Sequence, residues 1–574
     1  MKLNPRNRKI MLYSLLILAL LASAGIGVGL CFAFHPDRAS SSYSYGAITS
    51  NAEGCADLGR DIIKEGGSAA DAAITLLLCE GVMLPQSSGI GGGFMATIKH
   101  GNEVMTLTAR EWAPLASTED MFVNISSVVG GIAVGVPGEL LGYHELHNKY
   151  GRLKWKRLFE PVIKLCREGH KVIKILASVL EEHKDLIKGE ESLKDFVNPI
   201  TKEVWKENDT MKRLKLADTL EVIADKGAME FYEGDIGKQV VKDVHDKGGI
   251  LTEKDLKEYR ANWSAPTNIT FLKDYKVYSI PTPGSGAVLS MILNLMENSH
   301  RSDDDKFWHR AIESFKHAYG QRTNLGDMTF EPSVQEVYNN MLSKDFAKEI
   351  EKLIDPSKTF QNYSYYGATF ADTVSYGTIS LSVLHPDGDA VAVTSTINTN
   401  FGAKFASKST GIIMNDQMDD FSTPGIKNAY GFDPSPANFV KPKKRPQSSM
   451  CPTIIVNKKG EVEFMVGGAG GSKITTSVAS AILRYFLLNE SAYDAVGKKR
   501  LHHQLAPHEV QYETGYSQSI LDSLSQKQHR LKEMDLTDGF NAVTVIGTRK
   551  QVTPVFDPRR GGSATVVKLK KCPL

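Results

Sequence analysis

The sequence has little cysteine, no excess of either charge and a single long apolar run. Six cysteines in 574 residues are too few for a disulfide-dense mini-scaffold. Sixty-eight basic against 66 acidic side chains leave a net charge of +2, which excludes a global polyelectrolyte. No local basic stripe marks a nucleic-acid surface, so no nucleic-acid partner is expected. HExxH, paired CxxC motifs and closely spaced His/carboxylate clusters are all missing; no metal and no cofactor is expected. At 41% apolar and 23% charged the chain is neither disordered nor collagen-like, and no repeat of 20 to 50 residues stands out.

The one apolar run, Ile10 to Phe34, carries no charge and is long enough, at ~1.5 Å per helical residue, to cross a ~30 Å hydrocarbon layer. Lys2, Arg6, Arg8 and Lys9 precede it, so the positive-inside bias predicts a cytoplasmic tail (1–9), a membrane anchor (10–34) and an exported body of type II topology at the cell membrane. A cleaved signal peptide ending near Ala22-Ser23-Ala24 is the alternative, and it exports the same body. The polar Ser/Tyr-rich residues 35–50 are expected to form a stalk. Six N-x-S/T sequons, at Asn124, Asn208, Asn262, Asn268, Asn362 and Asn489, fit an exported glycoprotein.

Periodicity predicts helices over 51–65, from Ser68 through Leu78, and over 137–150, 155–168, 216–226 and 307–319, with helical patterns dominating up to about 375. Gly66-Gly67 separates the first two helices. Cys55 and Cys79 are each twelve residues from Gly67, so an antiparallel helix pair brings both sulfurs to one level and makes a disulfide sterically plausible; two buried free cysteines are the alternative. Near 375 the texture changes to period two. Strands are predicted from Thr378 to Val383 and Ala390 to Thr394 around a Pro386–Asp389 turn, then at 453–456 and 462–466, followed by an apolar helix from Thr475 to Leu488. Strands interleaved with helices indicate sheets covered by helices.

Glycine clusters need a reason, since each glycine costs chain entropy on ordering. Gly467–Lys473 fails as a Walker loop because Ser472 separates the last glycine from Lys473, and Gly91–Ala96 matches GxGxxA without the strand-turn-helix that a dinucleotide fold requires. A strand ending at Val466 and a helix starting near Ile474 place the amides of Gly470 and Gly471 at a turn, where they can cradle an anionic oxygen or simply make a tight connection. Ser448-Ser449, Asp419-Asp420 and Arg110 read, each taken alone, as capping or solvated surface groups.

Together these segments resemble the γ-glutamyltransferases (glutathione hydrolases). The resemblance is carried by Pro85–Gly93, Ala109-Arg110-Glu111, Gly135–Glu139, Gly377-Thr378, Thr394–Asn398, Asp419-Asp420-Phe421, Pro434–Phe439, Ser448–Thr453 and Gly467–Gly471, in the family's order. It implies an α+β fold, the four-layer αββα sandwich of the N-terminal-nucleophile hydrolases, made as one precursor that cuts itself between Gly377 and Thr378. The products would be a large chain, its ectodomain part 51–377, and a small chain of 378–574, held as a heterodimer. A threonine hydroxyl is a weak nucleophile, and a terminal amine with pKa ~7.7–8.0 on the same residue is a base poised near working pH. The resemblance further implies that Thr396 hydrogen-bonds Thr378, and that Arg110 clamps a substrate α-carboxylate with Ser448 and Ser449. Asn398 and Asp420 would hold the α-ammonium, Gly470 and Gly471 the oxyanion, and Cys55–Cys79 resembles a family disulfide. Expected substrates are glutathione and its S-conjugates, including leukotriene C4-type donors, with water, amino acids or dipeptides as acceptors. A catalytically silent surface glycoprotein of the same fold is the rival expectation.

Three positions depart from the family pattern. Gln417 stands where a glutamate is common, which predicts weaker γ-glutamyl binding. Ser380 replaces a histidine two residues after the nucleophile, and the chain from Asp557 runs past its glycine pair into Ser563–Val567.

Overall fold

In period-two segments every second side chain faces one layer, and here the two faces of the strands bury against different partners. The structure is a computed structural model describing residues 43–370, 377–427, 431, 433–534 and 542–570. The predicted membrane anchor therefore lies outside the described residues, and among those no helix is long and apolar enough to cross a membrane.

Two antiparallel sheets stack face to face. The first holds β1 (Tyr43–Ser50), β2 (Gly93–His100), β3 (Glu103–Ala109), β4 (Asn262–Ser264), β7 (Ile379–Leu384), β8 (Ala390–Thr396) and β13 (Ser563–Lys570), in the order β13-β1-β7-β8-β2-β3-β4. The second holds β5 (Thr267–Phe271), β6 (Tyr275–Ser279), β9 (Thr453–Val456), β10 (Val462–Ala469), β11 (Ala542–Gly547) and β12 (Thr553–Val555), in the order β12-β11-β10-β9-β6-β5. Met465 and Ile454 point into the inter-sheet layer with Ala47, Leu384, Ala392 and Ile546, while Phe464, Val466 and Ile455 point to the helices.

Helices α1 (Cys55–Lys64), α2 (Ala69–Met83) and α3 (Glu139–Tyr150) belong with the first sheet, and α4 (Gly286–Met296), α5 (Asp305–Arg322) and α6 (Lys473–Phe486) with the second. Every residue of α2 is buried, as a helix apolar on all sides requires, and its start is fixed by a capping box between Ser68 and Asp71. The layers are thus helix, sheet, sheet, helix, the αββα order expected.

Several expectations need correction. Residues 43–50, placed in the stalk by composition, form β1, with Ala47 and Ile48 buried, because the Tyr-x-Tyr-x-Ala-x-Thr alternation fits a strand as well as a linker. Helix α1 begins at Cys55, not Asn51, since Gly54 adopts a left-handed φ of 77° that breaks the helix. Helices do dominate up to about 375, but that stretch also supplies β2 and β3 to the first sheet, which were not predicted; β2 is buried at every position but the last, so it carries no apolar/polar alternation. Strand β10 does not stop at Val466 but runs to Ala469; Gly467 lies within it because a Cβ there would fall 2.2 Å from the Ser380 hydroxyl. Cys55 and Cys79 are joined, with their Cα atoms 5.8 Å apart, while Cys166 and Cys451 are buried free thiols. All six sequon asparagines are exposed, as a glycan requires.

Candidate active site

Functional residues gather where strands of the first sheet end. Thr378 immediately precedes β7, whose Ile379 pairs with Ser395, so Thr396 at the end of β8 lies one register step on, across from Thr378. Arg110 directly follows β3, and Gly93, which pairs with Thr396, opens β2. Strand ends leave side chains free of the ladder yet rigidly placed.

Thr378 is buried and has a φ of 125°, a region that β-branched residues avoid, and it follows Gly377 at φ 81°. Such a backbone stores about 1–3 kcal/mol. The Thr396 hydroxyl accepts the Asn398 N–H at 2.8 Å. Asn398 sits in a left-handed turn (φ 75°) that folds its amide back onto that oxygen, and the Thr396 hydroxyl keeps its own proton to donate.

Arg110 is 1% exposed. Its Nε donates to Pro446 O at 2.8 Å, and its Nη2 to Gln447 O at 3.1 Å and Asp420 Oδ2 at 2.5 Å. Arg110 and Asp420, expected to hold opposite ends of a substrate, are thus paired with each other. Nη1 has no hydrogen-bond partner among the described residues. Tyr259 and Arg445 hold the Arg110 carbonyl from behind. Glu111 beside it is wholly buried, and desolvation pushes its carboxyl up to about 8, so it is neutral at pH 7.

Three acceptor oxygens are likewise buried and unpartnered among the described residues: Asp420 Oδ1, Gln417 Oε1 and Asn398 Oδ1. Each is set by its twin. Gln417 Nε2 donates to Asp420 Oδ2 at 2.6 Å and Asn398 Nδ2 to Asp416 O at 3.1 Å, which turns the amide oxygens the other way. Burial raises the Asp420 carboxyl to about 6, opposed by Arg110. Asn415 and Asn438 hold the loop, Asn415 bonding Gly91, Gly135 and Gln417, and Asn438 bonding Asp420 O.

The serine pair is buried too. Ser448 Oγ accepts the Met450 N–H at 3.2 Å, and Ser449 Oγ accepts from Arg322 Nη2 at 3.1 Å. Both oxygens are therefore acceptors, leaving their hydroxyl protons to be donated. Gly470 and Gly471, at φ 118° and 63°, form the turn between β10 and α6. Side chains rarely adopt those angles, and the turn leaves two amides clear of Cβ atoms.

Arg322 is the site residue that motif reading missed. It closes the buried stripe Phe307, Ala311, Phe315, Ala318 of α5, and a cation in register with an apolar stripe was the available signal. His309, Glu313 and His529, scattered in sequence, also come together, but their atoms are engaged: His309 bonds His529 at 2.8 Å and Asp355 O at 2.8 Å, and Tyr366 bonds Glu313 at 2.8 Å.

The family model for gamma-glutamyltranspeptidase matches residues 55–567. Scoloptoxin SSD14 of Scolopendra dehaani is 41% identical over 538 residues, covering 91% of this chain and 92% of its own. Glutathione hydrolase 3 of Arabidopsis thaliana is 36% identical, covering 85% and 79%. Among solved structures, cephalosporin acylase from Bacillus halodurans superposes with a TM-score of 0.79 at 23% identity over 93% of this chain and 98% of that one, a likeness of fold. With the family model spanning nearly all of the described residues, the chain belongs to the gamma-glutamyltranspeptidase family, enzymes that transfer or hydrolyse γ-glutamyl groups.

Proposed function

We propose that this chain is an extracellular γ-glutamyl hydrolase and transferase that matures by cutting itself between Gly377 and Thr378 and acts on glutathione and its S-conjugates. The observation that carries the reading is the set of unpartnered polar atoms. A buried Arg110 Nη1 and two serine hydroxyl protons suit an α-carboxylate, while three buried acceptor oxygens suit an α-ammonium. An α-amino acid end group satisfies both. Neutral Glu111 adds no charge that would repel the carboxylate.

Strain at Thr378 supports cleavage there, since breaking the 377–378 bond releases it. The freed amine takes the Thr378 hydroxyl proton as Oγ attacks the γ-amide carbonyl. The Gly470 and Gly471 amides stabilise the oxyanion, the Thr378 ammonium passes its proton to the amide nitrogen, which departs as the amine of the leaving peptide, and a γ-glutamyl ester remains on Thr378. Water or the amine of an amino acid or dipeptide then resolves it. The 10–34 segment and the exposed sequons support a glycosylated body held outside the cell by its N-terminal anchor.

Reduced, deglycosylated intact mass with N-terminal sequencing tests maturation. A small chain beginning Thr-Ile-Ser-Leu is expected; a single uncut chain without activity on γ-glutamyl anilides overturns the reading in favour of a silent glycoprotein.

A further inference from the structure

We propose that Arg322 is a positioning residue for recognition of the donor's α-carboxylate, acting through Ser449. The inference rests on the reading of Ser448 and Ser449 as carboxylate-binding hydroxyls and goes beyond it by assigning what aims them. Arginine can only donate hydrogen bonds. Because Arg322 Nη2 donates to Ser449 Oγ at 3.1 Å, one lone pair of that oxygen is occupied and its own proton is turned outward. The Ser449 O–H is thereby aimed away from Arg322 and free to donate, which suits a carboxylate oxygen. The same guanidinium lies 3.5 Å from Ser285 Oγ through Nε, and the Ser285 hydroxyl donates to Ser448 O at 2.7 Å. Arg322 thus reaches one serine of the pair directly and the backbone of the other through Ser285.

Charge points the same way. Arg110 binds Asp420 at 2.5 Å, so much of its charge is balanced before any substrate arrives. Arg322 is 1% exposed, so its guanidinium stands behind the serine pair out of solvent, within range of Tyr319, Asp420 and Arg110. Its backbone is fixed as well, since Gln447 Nε2 donates to Arg322 O at 2.9 Å, tying the end of α5 to the segment that carries Ser448 and Ser449.

The test compares two donors, γ-glutamyl p-nitroanilide and 4-aminobutyryl p-nitroanilide, which has the same amide and amine but no α-carboxylate. The matured wild-type enzyme is expected to prefer the first strongly. Arg322→Met is expected to raise KM for the γ-glutamyl donor by roughly 10- to 100-fold, the scale of one hydrogen bond to a charged group, with little change in kcat. It is expected to leave kcat/KM for the aminobutyryl donor nearly unchanged, while Arg322→Lys recovers part of the loss. A double-mutant cycle keeps the idea falsifiable should the Met variant fail to mature: in a Ser449→Ala background, Arg322→Lys is expected to have no further effect on KM. Equal losses on both donors, a fall in kcat alone, or additive effects of Ser449→Ala and Arg322→Lys would overturn the assignment. A wild-type enzyme that does not distinguish the two donors would instead sink the α-carboxylate reading of the site itself.

Discussion

Gln417 sits 2.6 Å from Asp420 through its amide nitrogen, and this contact decides what a glutamate there would do. Two carboxylates at that distance cannot both ionise at neutral pH, and Asp420 is already raised to about 6 by burial. Gln417→Glu is therefore expected to share a proton with Asp420 and to leave the KM for a γ-glutamyl anilide unchanged near pH 6. Only at higher pH, where the second carboxylate ionises and adds charge against the substrate ammonium, should KM fall. A KM–pH profile of the two enzymes checks this, and a lower KM across the whole range would contradict it. The sequence alone predicted a simple gain of charge, because spacing shows that Gln417 and Asp420 are near neighbours and not which atoms meet. The same limit explains Arg110: the motif carried its identity, while its pairing with Asp420 and its free Nη1 depend on a fold that brings residue 110 to residue 420.

Elements were legible where periodicity was clean. The 155–168 helix and the strand at 453–456 lie where periodicity and alternation put them. β2 was hidden because a strand covered on both faces loses the alternation that reveals it, whereas Met105–Ala109 of β3 does alternate and was passed over. One consequence of element packing reaches the nucleophile. Where β1 leaves the sheet, the side chain of Asn51 replaces it: Asn51 Oδ1 accepts the Ser380 N–H at 2.6 Å, two residues beyond Thr378. Asn51 is held in turn by Glu80 Oε1, which accepts the Asn51 N–H at 3.0 Å and the Ser50 hydroxyl at 2.5 Å. Glu80 is the neighbour of Cys79, and Cys55 follows Asn51 by four residues, so the disulfide joins the two segments next to the residues that make this support. Replacing both cysteines with alanine closes no loop of 24 residues in the unfolded state and is expected to cost about 3–4 kcal/mol. Guanidinium unfolding of the two proteins measures it, and a loss below about 1 kcal/mol would mean that helix packing alone fixes α1 on α2.

On the scale of the whole molecule, the proposed cut passes between strands that are not neighbours only in sequence. Strands β7 and β8, beyond residue 378, lie between β1 and β2, which come from the large chain; Ala47 pairs with Leu384 on one side and Ala390 with Lys99 on the other. In the second sheet β9 pairs with β6, Ile454 against Tyr278. With β13, from beyond residue 562, pairing with β1 as well, four ladders cross the proposed chain boundary, and the inter-sheet core mixes both sides, with Ala47 packed among Leu384, Ile454 and Met465. Separating the chains would expose that core and leave paired backbone groups unsatisfied, so it amounts to unfolding both. Salt screens surface ion pairs and does not weaken apolar burial. The large and small chains are accordingly expected to co-elute as one particle in 1 M NaCl and to part only in denaturant, with activity lost at the same guanidinium concentration as the fold. Chains that separate under native conditions would mean that the strand order of the uncut molecule is not kept after cleavage.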